Sequence, residues 1–298
     1  MDKNRYVMSE EERYFFDLTG YLIVKNALSE DEVAQCNSAI DHFDHKIIPR
    51  EEGNEGLSKG SKTLKGTGRL ELHGMLGWPA PYREPFRKLL VHPVIVSRLN
   101  EISGLGFRLD HGPLLISGEI GSEGHRLHGA GEPFAPHIWY RQQNGKISCS
   151  GVTVTWQLAD VNEGDGGFAI VPGSHKASEP TPKGVSTVDD DMDVVQQPSM
   201  QAGDVLLFAE TATHGTLPWK ARHRRRSVLY KYAARAAVRN LGNHFLPSDR
   251  WGDWTEDLIP EQRAVLYGPG VLTSGRVPYL ESDGGTVRIT DDSPVGAA

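Results

Sequence analysis

The sequence predicts an α+β chain whose core is mainly β, a sandwich or barrel buttressed by helices. Three observations carry this. Helix signals fill the first hundred residues, short alternating strand patterns follow from about residue 113, and 33 glycines with 18 prolines supply the many turns that short-stranded folds need.

Taken in order, Ser9 with Glu12 has the spacing of a capping box, and Gly20 is placed to stop that helix. Tyr21-Leu22-Ile23-Val24 is a short apolar run suited to a strand. Ser29 with Glu32 repeats the capping signal, and Val33, Cys36, Ile40, Phe43 and Ile47 then recur at the spacing of one helix face. Residues 50–68 are polar and rich in Gly and Lys, and read as a mobile loop. A further helix is expected over 93–103, after His92 and before Gly104. In the second half, Ser150 to Val161 alternates, with Val152, Val154, Trp156 and Leu158 on one side and Thr153, Thr155 and Gln157 on the other. Gly167 to Val171 precedes a Pro172-Gly173 turn, and Asp204 to Phe208 follows a turn at Gly203. Arg226 to Ala233 alternates again through Val228, Tyr230 and Tyr232. Residues 236–298 are loop-rich, with one helix expected near 260–267. The chain reads as a single domain over 1–298: helical support at 1–104, the β core at 105–235 and a C-terminal extension at 236–298.

Composition narrows the function. Lys and Arg number 32 against 39 Asp and Glu, a net charge of −7, which excludes the basic footprint of a nucleic-acid-coating protein. No apolar run approaches the ~18–20 residues of a membrane helix. The charged start Met1-Asp2-Lys3-Asn4-Arg5 is unlike a signal peptide, and two cysteines, Cys36 and Cys149, make no disulfide framework; a cytoplasmic location is expected. Several motifs fail. Gly56 to Thr63 lacks the second glycine of a P-loop, having Ser61 there, and the chain has no Rossmann fingerprint, HExxH, CxxC pair or nucleophile elbow.

Chemistry concentrates in three segments. The first is Arg126-Leu127-His128-Gly129-Ala130. The second runs from Glu163-Gly164-Asp165-Gly166-Gly167-Phe168 to Pro172-Gly173-Ser174-His175-Lys176. The third joins Gly203 to Phe208, Thr213-His214-Gly215-Thr216 and Arg225-Arg226-Ser227. From Gly20 to about Tyr232 this pattern resembles the phytanoyl-CoA dioxygenase superfamily of iron(II)/2-oxoglutarate oxygenases. The resemblance implies a double-stranded β-helix, the jelly-roll of cupins. It implies that His128 and His214 are iron ligands, that Arg225 pairs with the far carboxylate of 2-oxoglutarate, and that Thr216 and Ser227 add hydroxyl bonds to that cosubstrate. Iron(II) accepts imidazole and oxygen donors and leaves room for a chelating 2-oxo acid and O2. An arginine fork suits a carboxylate better than a lysine does. The rest of the basic run Lys220 to Arg226 reads as a solvated turn, and Ser174-His175 as a tight turn packed on the barrel.

The departure is Ala130, which stands where such oxygenases keep an Asp or Glu two residues after the first histidine. Three readings compete. A halide fills the vacated coordination position, as in halogenases with His-x-Ala or His-x-Gly, and chloride then joins Fe(II), 2-oxoglutarate and O2 in chlorinating an aliphatic C–H with release of succinate and CO2. Alternatively another carboxylate, Glu132, Glu119 or Glu210, reaches the iron and the enzyme hydroxylates. Or the site is inert and the protein is a binding module. The halide reading is the expectation. His125 and His137 are alternative ligands or neighbours that hydrogen-bond one, and Trp156 and Trp219 read as core or pocket wall. The substrate is expected to be a small molecule, a natural-product precursor, with Lys59, Lys62 and Lys65 folding over it if it is anionic or a nucleotide; neither a nucleic-acid polymer nor a membrane is expected as partner.

Overall fold

The computed structural model describes residues 3–50, 56–129, 138–237, 244–270 and 278–290. Both N-terminal capping boxes form. Helix α1 (Glu10–Thr19) begins where Ser9 Oγ accepts the Glu12 N–H and Glu12 returns a carboxylate to the Ser9 N–H, and it ends at Gly20 in the left-handed region. A side chain at Gly20 would also meet the His175 ring at 2.6 Å, so the glycine serves both a backbone and a packing need. Strand β1 (Tyr21–Val24) follows, and α2 (Glu30–His42) repeats the box with Ser29 and Glu32. Its apolar face is buried through Cys36, Ala39 and Ile40, but the helix stops at Phe43, so Ile47 lies beyond it, after a short 3-10 turn.

Strands β2 (Ile48–Pro49) and β3 (Leu70–His73) precede α3 (Glu84–Leu90) and α4 (Pro93–Ser103), the last bounded by His92 and Gly104 as the sequence indicates. Then come β4 (Arg108–Gly118), β5 (His125–His128), the hairpin β6 (Tyr140–Gln143) and β7 (Lys146–Cys149), β8 (Gly151–Gln157) and β9 (Gly167–Ile170). A short helix α5 (Lys183–Thr187) precedes β10 (Val205–Ala209), β11 (His214–Leu217) and β12 (Arg225–Ala233). The extension holds α6 (Pro247–Trp251), α7 (Pro260–Ala264) and the hairpin β13 (Tyr279–Asp283) with β14 (Thr286–Thr290), which the loop-rich composition did not suggest.

The described chain is therefore mixed α/β and mostly β. Seven strands form one antiparallel sheet in the order β1-β10-β8-β12-β4-β3-β2, and β5-β11-β9 form a smaller one. Strand β8 lies inside the large sheet and is buried on both faces, so its alternation does not separate core from solvent. Instead Val152, Val154 and Trp156 join the main apolar cluster beside the helices, while Thr155 faces a cavity between the sheets. Tyr230 and Tyr232 anchor β12 to the helices, each hydroxyl donating at 2.7 Å to a carbonyl, that of Phe86 and of Leu90. A second cluster, with Phe168, Ile170, Leu206, Phe208 and Trp219, joins β9 of the smaller sheet to β10 of the larger one.

The expected mobile loop is tied down over its described part, 56–68. Leu57 and Leu64 are buried. Asp189 accepts the N–H groups of Lys62 and Thr63, and Glu123 accepts those of Leu57 and Ser58. Polar composition marked solvent contact here, but paired carboxylates fix the backbone. Among the described residues no helix is long and apolar enough to cross a membrane, and both cysteines are buried and free.

Candidate active site

Antiparallel pairing of β11 with β5 sets His214 directly opposite His128, with ring centroids 4.6 Å apart. The register then shifts: Thr216, two residues after His214, pairs with His125, three residues before His128. This bulge turns His125 to the same face, 4.6 Å from the His128 ring. Gly215 makes the close pairing feasible, because a Cβ there would lie 2.5 Å from the His125 carbonyl oxygen.

The two facing histidines are oriented by their own backbone. His128 Nδ1 lies 3.0 Å from the Arg126 carbonyl and His214 Nδ1 2.8 Å from that of Ala212. A carbonyl only accepts, so each Nδ1 carries the proton and each Nε2 keeps its lone pair. Burial also holds both rings neutral. It pushes the His214 pKa down to about 3, with His128 adding to the effect. His128 opens part of its ring to the cavity, yet enough protein surrounds it that its pKa also lies below the ordinary value. His125 is lowered to about 2 by burial and the neighbouring His128. Neutral imidazoles with free Nε2 atoms are the donors that a borderline metal ion takes.

Arg225 opens β12 opposite Gly118 of β4, and its side chain lines the cavity with 6% exposure. Gly166 and Gly167, both at positive φ, bring the backbone against it: a Cβ on Gly167 would lie 3.5 Å from Arg225 Nε, and one on Gly166 would strike the Pro218 carbonyl. Arg225 Nε has no hydrogen-bond partner among the described residues. Burial first, then the nearby Arg69, lower its pKa to about 9. A buried guanidinium in this state calls for an anion. Thr216 lines the same cavity and accepts the His125 N–H at 2.9 Å. Ser227 does not line it; its hydroxyl donates to Gln157 Oε1 at 2.8 Å, one row deeper in the sheet. The PGSH turn acts at one remove: Ser174 Oγ accepts the Thr213 N–H at 2.7 Å, just ahead of His214.

The cavity holds about 830 Å³ and takes its walls from both sheets and from Trp251 and Trp254. Among its described lining residues are Arg50, Arg69, Arg225 and Lys231, and no Asp or Glu. Trp156 and Trp219 are core residues and lie outside the lining. Of the alternative carboxylates, Glu119 is exposed in the turn after β4 and is not among the residues that line the cavity. Glu210 is buried behind the lining, bonded to Thr153 and 3.2 Å from Lys231 Nζ, and its charge raises the pKa of both His128 and His214. Ala130, Glu132 and His137 lie outside the described residues. Among the described residues no group of three or more His, Cys, Asp or Glu converges to hold a metal ion. Lys59, Lys62 and Lys65 are exposed, and none of the three is among the described residues that line the cavity. The cations of the described lining are Arg50, Arg69, Arg225 and Lys231. Arg69 went unnoticed although Arg69-Leu70-Glu71-Leu72-His73 alternates as a strand does, which could have placed Arg69, Glu71 and His73 on one face.

A family model described as phytanoyl-CoA dioxygenase (PhyH) matches residues 16–227, more than two thirds of the chain. Among curated proteins none matches. Several solved structures share the fold. HygX from Streptomyces hygroscopicus, in a crystal structure with nickel, 2-oxoglutarate and hygromycin B bound, is 21% identical at a TM-score of 0.62, covering 84% of this chain and 100% of that one. SnoN, a non-heme alpha-ketoglutarate-dependent epimerase from nogalamycin biosynthesis, is 18% identical at 0.56, covering 76% and 83%. AviO1 from Streptomyces viridochromogenes Tue57 is 15% identical at 0.55, covering 78% and 98%. At such identities the likeness is one of fold.

Proposed function

Because the chain belongs to the phytanoyl-CoA dioxygenase family, we propose that it is an iron(II)/2-oxoglutarate-dependent oxidoreductase acting on an aliphatic C–H of a small molecule. The observation that carries this is the pairing, across one cavity, of two neutral histidines with free Nε2 atoms and a buried arginine whose charge calls for a carboxylate. We take 1–298 as one domain and the two facing sheets as the walls of a double-stranded β-helix. When bound, iron(II) with 2-oxoglutarate and O2 supplies the oxidation, at the expense of cosubstrate decarboxylation to succinate and CO2. His128 and His214 hold the metal, with tautomers fixed by the Arg126 and Ala212 carbonyls. Arg225 binds the far carboxylate of 2-oxoglutarate in a fork geometry, with the Thr216 hydroxyl alongside. The apolar wall of Phe168, Phe208, Leu229 and the two tryptophans keeps water from the reacting carbon.

For the remaining position on the metal we propose a halide, so that the product is chlorinated. Ala130 offers no oxygen at the carboxylate position, and the described lining is cationic without an acid. A second reading, hydroxylation, is favoured by one observation: Glu210 is near enough to bias the titration of both histidines. It would have to leave Thr153 and Lys231 to reach a metal. An anaerobic titration of iron(II), 2-oxoglutarate and chloride, followed through the visible charge-transfer band, decides between them. A band that shifts with chloride supports halogenation. A chloride-independent band supports a carboxylate such as Glu210. Absence of iron binding returns the protein to an inert binding module.

A further inference from the structure

One side of the cavity is built from residues that the candidate metal site does not use. Trp251 and Trp254, from the C-terminal extension, line it together with His73, at the end of β3, and His111 of β4. Both indoles are held in place. The Arg250 guanidinium lies over Trp251, 4.4 Å from the ring centroid, and that of Arg87 lies over Trp254 at 5.6 Å. Arg250 also donates to the Asp110 carbonyl, and Arg87 to the Trp254 carbonyl at 3.2 Å, which ties the extension to β4 and α3. Glycines give the ring edges room: a Cβ on Gly112 would lie 3.3 Å from Trp251 Cζ3, and one on Gly77 3.3 Å from Trp254 Cδ1. The two indoles meet at 68° with centroids 6.5 Å apart, so they form an apolar corner rather than a slot. The two imidazoles add polar contacts beside it. Their side chains are 59% and 56% exposed, which puts them at the open side, and each has a carboxylate next to it. His73 Nε2 lies 3.3 Å from Glu71 Oε2, a carboxylate shared with Arg69 and Arg50, and His111 Nδ1 lies 2.8 Å from Asp110 Oδ2. A carboxylate oxygen only accepts, so it draws the ring proton to the nitrogen beside it and leaves the other, His73 Nδ1 or His111 Nε2, for a ligand.

We propose that Trp251, Trp254, His73 and His111 form the substrate-recognition subsite, and that the substrate carries a hydroxylated saturated ring, a sugar or a cyclitol. The inference rests on the functional reading above and names the substrate class for that site. The ring packs its C–H face on one indole and its edge against the other, and its hydroxyls bond to the imidazoles. Apolar walls with a few placed polar groups are what fixes a small ligand in one orientation. A hydroxyl both donates and accepts, so it pairs with a histidine nitrogen in either role. The same cavity holds His128 and His214, so a ring seated in the corner stays next to the candidate metal position.

Titrations followed by tryptophan emission test it, under argon with iron(II) and 2-oxoglutarate present. The hydroxylated probes are the methyl glycosides of glucose, galactose and mannose, and myo-inositol; methoxycyclohexane and anisole are rings without hydroxyls. At least one hydroxylated probe is expected to saturate and to bind about fivefold or more tightly than both controls, the gain from one or two hydrogen bonds. Trp251→Phe combined with Trp254→Phe is expected to remove the emission change. His111→Phe keeps a ring at a half-exposed position and is expected to weaken the hydroxylated probe by about fivefold or more while methoxycyclohexane binds as before. Tighter binding of anisole would make the corner a site for flat aromatic rings and would overturn the proposal. So would the absence of saturable binding by every hydroxylated probe, or an unaffected His111→Phe variant. The titrations are repeated without iron(II) and 2-oxoglutarate, since the corner uses no metal ligand, and 2-oxoglutarate is titrated separately. Sugar or cyclitol binding in a protein that fails to bind 2-oxoglutarate would count against the functional reading alone.

Discussion

Replacing Arg225 by methionine should separate binding from folding in opposite directions. The guanidinium is buried, and its pKa stands at about 9 against an ordinary 12.5. At about 1.4 kcal/mol per pH unit, the charge costs the empty protein on the order of 5 kcal/mol. A folded pKa below the unfolded one means that this cost is full below about pH 9 and fades as pH rises toward 12.5. At neutral pH a methionine of similar length removes it and keeps most of the packing against Gly167 and the wall of the cavity. The ligand-free variant should therefore be more stable by about 1–4 kcal/mol, the usual gain when a buried charge gives way to an apolar side chain, and should melt a few °C higher. Binding should move the other way. Losing a desolvated, charge-assisted contact costs about 3–4 kcal/mol, or roughly 10²–10³-fold in 2-oxoglutarate affinity. Thermal melts with and without 2-oxoglutarate, in the presence of iron(II) under argon, read both effects at once. The reasoning fails if the variant keeps the full cosubstrate-induced rise in melting temperature, or if it is markedly less stable than wild type without ligand.

Other expectations follow from single contacts. Gly215→Ala should push β5 off β11, since its Cβ would crowd the His125 and Arg126 carbonyls; metal affinity measured by competition with a chelator should fall at least tenfold, and an unchanged value would contradict the strand geometry. His92 and His175 are both held near pKa 4 by burial, so their contribution is complete above about pH 6.5 and is lost as pH falls toward 4. Denaturant melts at pH 7.5 and pH 5 should differ by on the order of 1–2 kcal/mol for each histidine, and a flat profile would refute this. Tyr232→Phe leaves the Leu90 carbonyl without its hydroxyl donor in a fully buried position and should cost about 1–2 kcal/mol by urea denaturation. Lys59→Ala, Lys62→Ala and Lys65→Ala combined should leave substrate KM unchanged, because none of these side chains lines the cavity.

Much of this was legible because it is local. Ser9, Ser29 and Gly20 specify helix ends through contacts within four residues, and those ends form as read. His128, His214 and Arg225 could be singled out from spacing and family resemblance, and pairing of β5 with β11 brings the two histidines together. What escaped depends on register between distant strands. His125 was named as an alternative ligand or neighbour, but its place in the cavity depends on a bulge that turns three residues into the spacing of two. Arg69 meets Arg225 only because β3 and β12 lie on either side of β4. The alternation of β8 separates its two faces but does not say what each meets; this interior strand buries both, one in apolar packing and one toward a cavity. Residues 56–68 looked mobile because their hydrogen-bond partners, Asp189 and Glu123, lie far along the chain.

The most direct trial is a crystal structure of the anaerobic protein with iron(II), 2-oxoglutarate and chloride. The account predicts the metal on His128 Nε2 and His214 Nε2, the distal cosubstrate carboxylate on Arg225, and a halide rather than a side-chain oxygen beside the iron. Iron bonded to Glu210 would contradict the halide assignment, and 2-oxoglutarate seated away from Arg225 would contradict the site itself.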